Sequence, residues 1–416
     1  MNRIHFLRNP VREYAWGSRR VIPALLGEPV PAPVPAAELW MGAHPLAPSM
    51  VRVGGEWRPL DEVIRRRPEA VLGSRVAGRF GSRLPFLFKV LAAEEPLSIQ
   101  VHPDCRQARD GFSRENRRGI PLDAPERNYR DPNHKPELLV ALEPFQCLKG
   151  FRPVEEILER TAALSPALLS TELDFLRNLP SREGLRRFFS ALLTMDRSRL
   201  SREAARACAR ARENASGDPA FSWMARLHRR YPGDAGVFAP LVLNLLELAP
   251  GEGIFIPAGE LHAYLYGSGM ELMAASDNVL RGGLTSKHVD VPELLKVVDF
   301  RSAPVQKTIP VPGAPCERVY PSPAREFVLS VIDVDENRSF AGRNPGGVEI
   351  LICLEGAARI TDPGKGPCLA LERGRSVIVP ASVARYRMEG TATVYRAAVP
   401  FEGHGNDPAR NDRSFE

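Results

Sequence analysis

The chain has 416 residues, 44% of them hydrophobic, and a formal charge of +6, enough material for two or three domains with proper cores. No 18 uncharged apolar residues follow one another, and Met1 to Pro10 carries charges instead of a signal-like apolar run, which argues against a membrane span and for the cytoplasm. The charge is dispersed without basic and aromatic residues interleaved, so no nucleic-acid surface is indicated, and six Cys without a Cys-x-x-Cys pair predict reduced, mostly buried thiols.

In chain order, Asn9 to Gly17 reads as an entry loop with aromatic anchors, followed by a short helix from Val21 to Leu26 and a proline-rich loop from Pro29 to Pro35. Short strands follow at Glu38 to Gly42 and Val51 to Val53, then a helix from Leu60 to Arg66. Leu84 to Leu91 is an apolar strand interrupted by Lys89. With only seven Lys among 56 basic residues, a Lys inside an apolar strand calls for an anionic partner.

Ser98 to Asp104 reads Ser-Ile-Gln-Val-His-Pro-Asp. Side chains alternate across a strand, so Gln100 and His102 share one face while Ile99 and Val101 take the other. Taken alone, a His in such a strand reads as a core residue. The polar stretch from there to Asp131 has no clear periodicity and reads as a long lid-like or disordered loop. It ends in Asn133-His-Lys-Pro-Glu137, ahead of the apolar strand Leu138 to Leu142.

From Val154 to about Ala239 the apolar spacing turns helical, with Asp218-Pro219 as N-cap and first helical residue. Strands return at Leu241 to Leu248. Gly251 to Ala258 (Gly-Glu-Gly-Ile-Phe-Ile-Pro-Ala) then recurs 123 residues later as Gly374 to Ala381 (Gly-Arg-Ser-Val-Ile-Val-Pro-Ala), and at that offset His262 meets Arg385. A repeated turn, buried strand and Pro-Ala stop suggest two related β-barrels. The second carries no His between 289 and 403 and so no metal site of this kind.

The expected fold is mainly β with an α insertion, as two β-barrels plus a helical domain. Residues 1–150 and 240–300 make a discontinuous first barrel and 151–239 the helical insertion. A linker spans 301–323, a C-terminal barrel without a metal site 324–402, and a polar, mobile tail 403–416. Gln100, His102, Glu137 and His262 are the candidate ligands, with His134 competing for the place of Glu137. Two imidazoles and two oxygen donors suit Zn²⁺, and also Mn²⁺, Fe²⁺ or Co²⁺. A second cluster, Glu271 through Arg281-Gly-Gly to Lys287, joins a carboxylate to cations that can meet a phosphate or a developing enediolate.

Tyr14-Ala-Trp-Gly17, Glu38-Leu-Trp-Met-Gly42, Leu84-Pro-Phe-Leu-Phe-Lys89, Leu97-Ser-Ile-Gln-Val-His-Pro-Asp104, Asn133-His-Lys-Pro-Glu137, Ile256-Pro-Ala-Gly-Glu-Leu-His-Ala-Tyr264 and Ser276-Asp-Asn-Val-Leu-Arg281 together resemble type I mannose-6-phosphate isomerases, zinc enzymes of the cupin superfamily. The resemblance covers most of residues 1 to 300, and the C-terminal barrel matches only in general character. It implies that the two barrels are cupin-type (jelly-roll) barrels, the one at 1–150 and 240–300 catalytic and the one at 324–402 cupin-like. It implies one Zn²⁺ per chain on Gln100, His102, Glu137 and His262, with Arg281 as the catalytic cation. It places Ser98, Lys89 and Lys287 at the sugar phosphate, Lys135 and Glu271 in the same pocket, and Trp16 among the substrate contacts.

The implied reaction interconverts mannose 6-phosphate and fructose 6-phosphate through a cis-enediol. Its base is left open among Glu271, Lys135 and a water at the metal. The implied partner is a small sugar phosphate, and a monomer with at most weak self-association is expected. The rival readings are a metal cupin oxygenase and a non-catalytic sugar-binding bicupin.

Overall fold

The computed structural model describes residues 1–165, 167–214, 217–363 and 368–400. The tail expected at 403–416 lies outside them. Among the described residues the strands form two large antiparallel sheets, with helices inserted between strands of the first. No helix among the described residues is long and apolar enough to cross a membrane. The expected class, mainly β with an α insertion, is the one observed.

The first sheet runs in the order Leu243–Leu248, Phe145–Phe151, His262–Ala274, Phe86–Ala93, Glu38–Met41, Val11–Arg12, and the short strands Ile99–Val101, Glu137–Ala141, Gly253–Ile256 and Leu280–Gly283 close around it. Strand Phe86–Ala93 is buried along its whole length. Phe88, Val90 and Ala92 pack into a core shared with Ile350, Ile352 and Ala397 of the second barrel, while Leu91 belongs to the core inside the first. Both faces are therefore covered, which explains an apolar run in place of simple alternation.

The second sheet is built on two long strands, Glu349–Thr361 and Arg385–Ala398. It also takes in His5–Arg8, Met50–Val53 and Glu56–Pro59 from the amino-terminal end, and Val311–Pro312 and Glu317–Tyr320 from the proline-rich stretch ahead of the C-terminal barrel. The internal repeat has a structural counterpart. Gly253–Ile256 matches Ser376–Val379, and the strand that begins at His262 matches the strand that begins at Arg385, both at the 123-residue offset.

Helices between Val154 and Arg230 bury one stripe each against a core that includes Phe188, Trp223 and Leu227. Asp218 caps its helix as expected, accepting the Ala220 amide at 2.8 Å ahead of Pro219. The stretch after His102 departs from the loop expectation. Cys105–Arg117 is a helix with a capping box between Asp104 and Gln107, and its buried residues are Ala108, Gly111 and Glu115. Gly111 lies so close to Tyr129 that a Cβ there would fall 2.4 Å from the ring. A face made of small residues and one carboxylate leaves no apolar period to read. The thiols also divide differently from expectation: Cys147, Cys208 and Cys353 are buried, whereas Cys105 and Cys368 are exposed.

Candidate active site

Register brings the ligand candidates together. Gln100 pairs across to His262 on one side and to Arg281 on the other, and Glu137 opens its strand opposite Ile256 and Met273. The long strand His262–Ala274 would put His262 and Glu271 on opposite faces if it alternated regularly. Its register shifts between Tyr264 and Tyr266, and Gly267, at φ +114°, passes where a Cβ would meet the Pro144 carbonyl at 2.7 Å. That bulge changes the parity, so His262, Tyr264 and Glu271 all line one small cavity.

The imidazoles of His102 and His262 are buried, and each is held by its Nδ1. His102 Nδ1 lies 2.7 Å from the Asn278 carbonyl and His262 Nδ1 lies 3.0 Å from the Glu260 carbonyl. A carbonyl only accepts, so both rings carry the proton on Nδ1 and present a bare Nε2 lone pair. Those Nε2 atoms stand 3.3 Å from Oε1 and Oε2 of Glu137, respectively, and His102 Nε2 has no hydrogen-bond partner. Lone pairs facing a carboxylate in a buried site call for a cation among them.

The spacing fits Zn²⁺, because donors about 2.0–2.1 Å from a tetrahedral centre stand roughly 3.3–3.4 Å apart. Gln100 lines the same cavity and directs its amide N–H to Ser98 Oγ at 3.5 Å, which leaves Oε1 as a fourth donor. His134 is not a competitor in space, since it pairs with Glu326 at 2.9 Å.

Burial is the main reason the His102 pKa falls to about 4, so the ring is neutral and able to ligate at pH 7. Burial opposes ionisation of Glu137 too, but His102 and the Lys135 ammonium, 3.2 Å from Oε1, hold its carboxyl well below the ordinary carboxylate range.

Beside the ligands, Trp40, Lys89 and Glu271 lie in one row across three neighbouring strands. Lys89 Nζ donates to Glu271 Oε2 at 2.7 Å and to Glu38 Oε1 at 3.4 Å, which supplies the anionic partner that a buried-strand Lys requires. Burial would depress the Lys89 pKa, yet the two carboxylates push it up. Tyr264 Oη donates to Glu271 Oε1 at 3.0 Å. Burial raises the Glu271 pKa despite Lys89, with the Glu137 charge adding to the effect. A carboxyl with its pKa raised and both oxygens hydrogen-bonded thus lines the same cavity as the metal-ligand candidates.

The cavity measures about 70 Å³, room for a few water molecules. Ser98, Lys89, Gln100, Lys135, Glu137, His262 and Glu271 line it, whereas Arg281, Lys287 and Trp16 do not. Arg281 is half-buried on the strand beside Gln100, and Lys287 is exposed beyond it. Burial, then the charge of Arg130, lowers the Arg281 pKa; burial, then Arg281 and Arg130, lowers that of Lys287. Three cations that feel one another make a seat for an anion. Trp16 stacks on Tyr14 at 5.6 Å and packs against the core behind the cavity.

Glu38, Tyr264, Arg130 and Asn278 went unread as site residues in the sequence. Asn278 is fully buried and does the most. Its Oδ1 accepts the amides of Arg130 and Asp131 at 2.7 and 3.2 Å, and its Nδ2 donates to the carbonyls of Asp131 and Asn133 at 2.7 and 2.8 Å. Its own carbonyl orients His102. The cue available in sequence was an Asn inside Ser276-Asp-Asn-Val-Leu-Arg281.

Comparison with known proteins gives a consistent result over nearly the whole chain. Family models described as the type I phosphomannose isomerase catalytic domain, its helical insertion domain and the mannose-6-phosphate isomerase cupin domain match residues 4–154, 169–243 and 317–399. The mannose-6-phosphate isomerase of Salmonella typhimurium is 41% identical over 392 residues, covering 94% of this chain and 98% of that protein. The Bos taurus enzyme is 33% identical over 418 residues, covering 89% and 92%. A zinc-bound crystal structure of mannose 6-phosphate isomerase superposes with a TM-score of 0.87 at 38% identity, covering 96% of this chain and 100% of the other. A point mutant of the Salmonella typhimurium phosphomannose isomerase superposes at 0.88 with the same identity and coverage.

Proposed function

Because the chain belongs to the type I phosphomannose isomerase family, we propose how its residues divide the work of that reaction. The protein is a zinc-dependent aldose-ketose isomerase that interconverts mannose 6-phosphate and fructose 6-phosphate. The observation that carries the reading is the convergence of two Nδ1-anchored imidazoles on one buried carboxylate. In our assignment Gln100, His102, Glu137 and His262 hold the metal, which when bound supplies a Lewis acid to the sugar oxygens as negative charge develops on them.

The reaction moves a proton from C2 of the open-chain aldose to C1. We assign the acceptor to Glu271, whose carboxylate lines the cavity and whose pKa burial raises. It takes the C2 proton to leave the cis-enediol as its enediolate anion, the hydroxyl proton of O2 passes to O1, and the same carboxyl returns its proton to C1 as the C2 carbonyl forms. Lys89 stabilises the ionised form between turnovers. Lys135 holds Glu137 in place and charged. Arg281 faces the enediol as a fixed cation. Ser98 and Lys287 bind the sugar phosphate together with Arg130, and Trp16 supports the wall behind Leu97.

We also place the protein in the cytoplasm as a monomer. Neither the metal oxygenase nor the non-catalytic bicupin has support from the relatives or from the cation set beside the metal site.

The test is Glu271→Gln, assayed for exchange of the C2 hydrogen of mannose 6-phosphate with solvent deuterium. Loss of both exchange and turnover by at least about 10²-fold, with zinc content unchanged, is expected for the proton acceptor. Exchange at the wild-type rate would remove Glu271 from that role.

A further inference from the structure

A large cavity lies away from the metal site, at the junction of the two barrels. It has a volume of about 780 Å³ and shares no lining residue with the metal cavity. That is within the range of small-molecule sites. Its floor is apolar, from Leu7, Leu39, Ile360 and Leu369, and its walls are strand His5–Arg8, the hairpin of Met50–Val53 with Glu56–Pro59, and the turn at Gly374 and Arg375.

The charge of the walls is one-sided. Arg3, His5, Arg8, Arg52 and Arg375 line the cavity against a single carboxylate, that of Asp362. An arginine-rich chain puts guanidinium groups on its surface everywhere, but elsewhere they commonly meet acids, as in Arg58–Glu56, Arg187–Glu183 and Arg318–Asp333 at 2.7–2.8 Å. Here Arg375 pairs with Glu372 at 3.2 Å, whereas Arg3, Arg8 and Arg52 have no carboxylate partner among the described residues. Burial is the main reason that the His5 pKa falls to about 4, and the charges of Arg3 and the amino terminus add to it.

Trp57 lies in the same wall and is 39% exposed, with the Arg8 guanidinium 4.9 Å from its ring centroid. An exposed indole, guanidiniums without a carboxylate partner and an apolar floor suit a ligand with a flat ring at one end and adjacent phosphates at the other. We propose that this cavity binds a nucleoside diphosphate, with its phosphates on Arg3, Arg8 and Arg52 and its base against Trp57.

The site is placed to report on the catalytic one. Leu39 lies in its floor, and its neighbours on the strand, Glu38 and Trp40, point the other way, where Glu38 accepts hydrogen bonds from Lys89 and from Trp40 Nε1. A ligand that shifts this strand shifts the partner of the Lys89–Glu271 pair.

The experiment uses the zinc-loaded full chain and ADP as the probe, with adenosine and inorganic diphosphate as half-ligands. Calorimetry reads affinity and tryptophan emission reads place. The expected result is saturable ADP binding with half-saturation below about 1 mM at 0.15 M salt, and quenching that disappears in Trp57→Phe. Arg8→Gln with Arg52→Gln should weaken binding by at least about tenfold, and each half-ligand should bind at least about tenfold less tightly than ADP. Zinc content and isomerase turnover without ADP should be unchanged in these variants, which shows that they fold. The proposal is overturned if ADP does not saturate, if the double variant binds it as well as the parent, if diphosphate alone binds as tightly as ADP, or if mannose 6-phosphate displaces it.

Discussion

The two barrels solve the same electrostatic problem in different ways. Glu137 and Glu349 each open a strand, each is buried, and each faces the last residue of the repeated short strand, Ile256 or Val379, which are themselves 123 residues apart. In the first barrel the carboxylate meets two bare imidazole nitrogens and Lys135. In the second it accepts from Tyr386 Oη at 2.6 Å and faces the Arg396 guanidinium at 3.4 Å, while Arg396 also bonds Glu317. Arg385, at the position of His262, is exposed. A buried carboxylate needs a counter-charge. The second barrel supplies it from Arg396, and the first from Lys135. What distinguishes the first barrel is the pair of bare imidazole nitrogens on the same carboxylate, which only an ion among them can satisfy.

The comparison breaks first at the ligands. His262→Ala should leave a chain that folds but loses tight zinc binding and at least about 10³-fold of its turnover, read by metal analysis and a coupled assay for fructose 6-phosphate. In the second barrel the effect should fall on stability alone. Arg396→Met leaves Glu317 and Glu349 without their cation and should cost about 3–5 kcal/mol in denaturant unfolding, with zinc content per folded chain unchanged. A drop in zinc stoichiometry there would show that the two barrels are not independent in charge.

A smaller effect sharpens the account of how the first barrel keeps its imidazoles aimed. Asn278→Ala removes the clamp on the 130–133 segment and loosens the carbonyl that orients His102. Zinc affinity should fall about 10–100-fold, with secondary structure by circular dichroism intact.

The smallest effect is at the junction of the barrels. Burial first, then Arg3 and the amino terminus, lowers the folded-state pKa of His5 to about 4 from an unfolded value near 6.5. Between those values the unfolded chain binds the extra proton, so stability should fall as pH drops from about 6.5 toward 4. His5→Gln should flatten that part of the pH–stability curve. An unchanged curve would assign the acid sensitivity to other groups.

Much of the active site could be read from local sequence because its ligands stand at strand ends beside prolines, as in Val101-His-Pro103 and Lys135-Pro-Glu137. The repeat, visible as eight residues, also marked two real pairs of equivalent strands. What could not be read depends on partners far along the chain. The parity change between Tyr264 and Glu271 comes from a bulge fitted around Pro144, and alternation alone gives no sign of it. Glu38 is a site residue only because its strand pairs with the one that carries Lys89. His5–Arg8 pairs with Ser376–Val379, from the far end of the chain, and Met50–Val53 joins the same sheet through it, which no local pattern encodes. The helix after Asp104 was missed because tight packing of Gly111 on Tyr129, and not an apolar stripe, holds its inner face.

The most direct test is zinc titration of chelator-stripped protein, followed by isomerase activity and by thermal unfolding. Activity should return in proportion to zinc and level off at one equivalent per chain, with the unfolding temperature rising over the same range in the parent protein and in Arg396→Met alike. Full turnover in the stripped protein, or a titration unaffected by His262→Ala, would contradict the claim that the first barrel is completed by an ion its own bare imidazoles require.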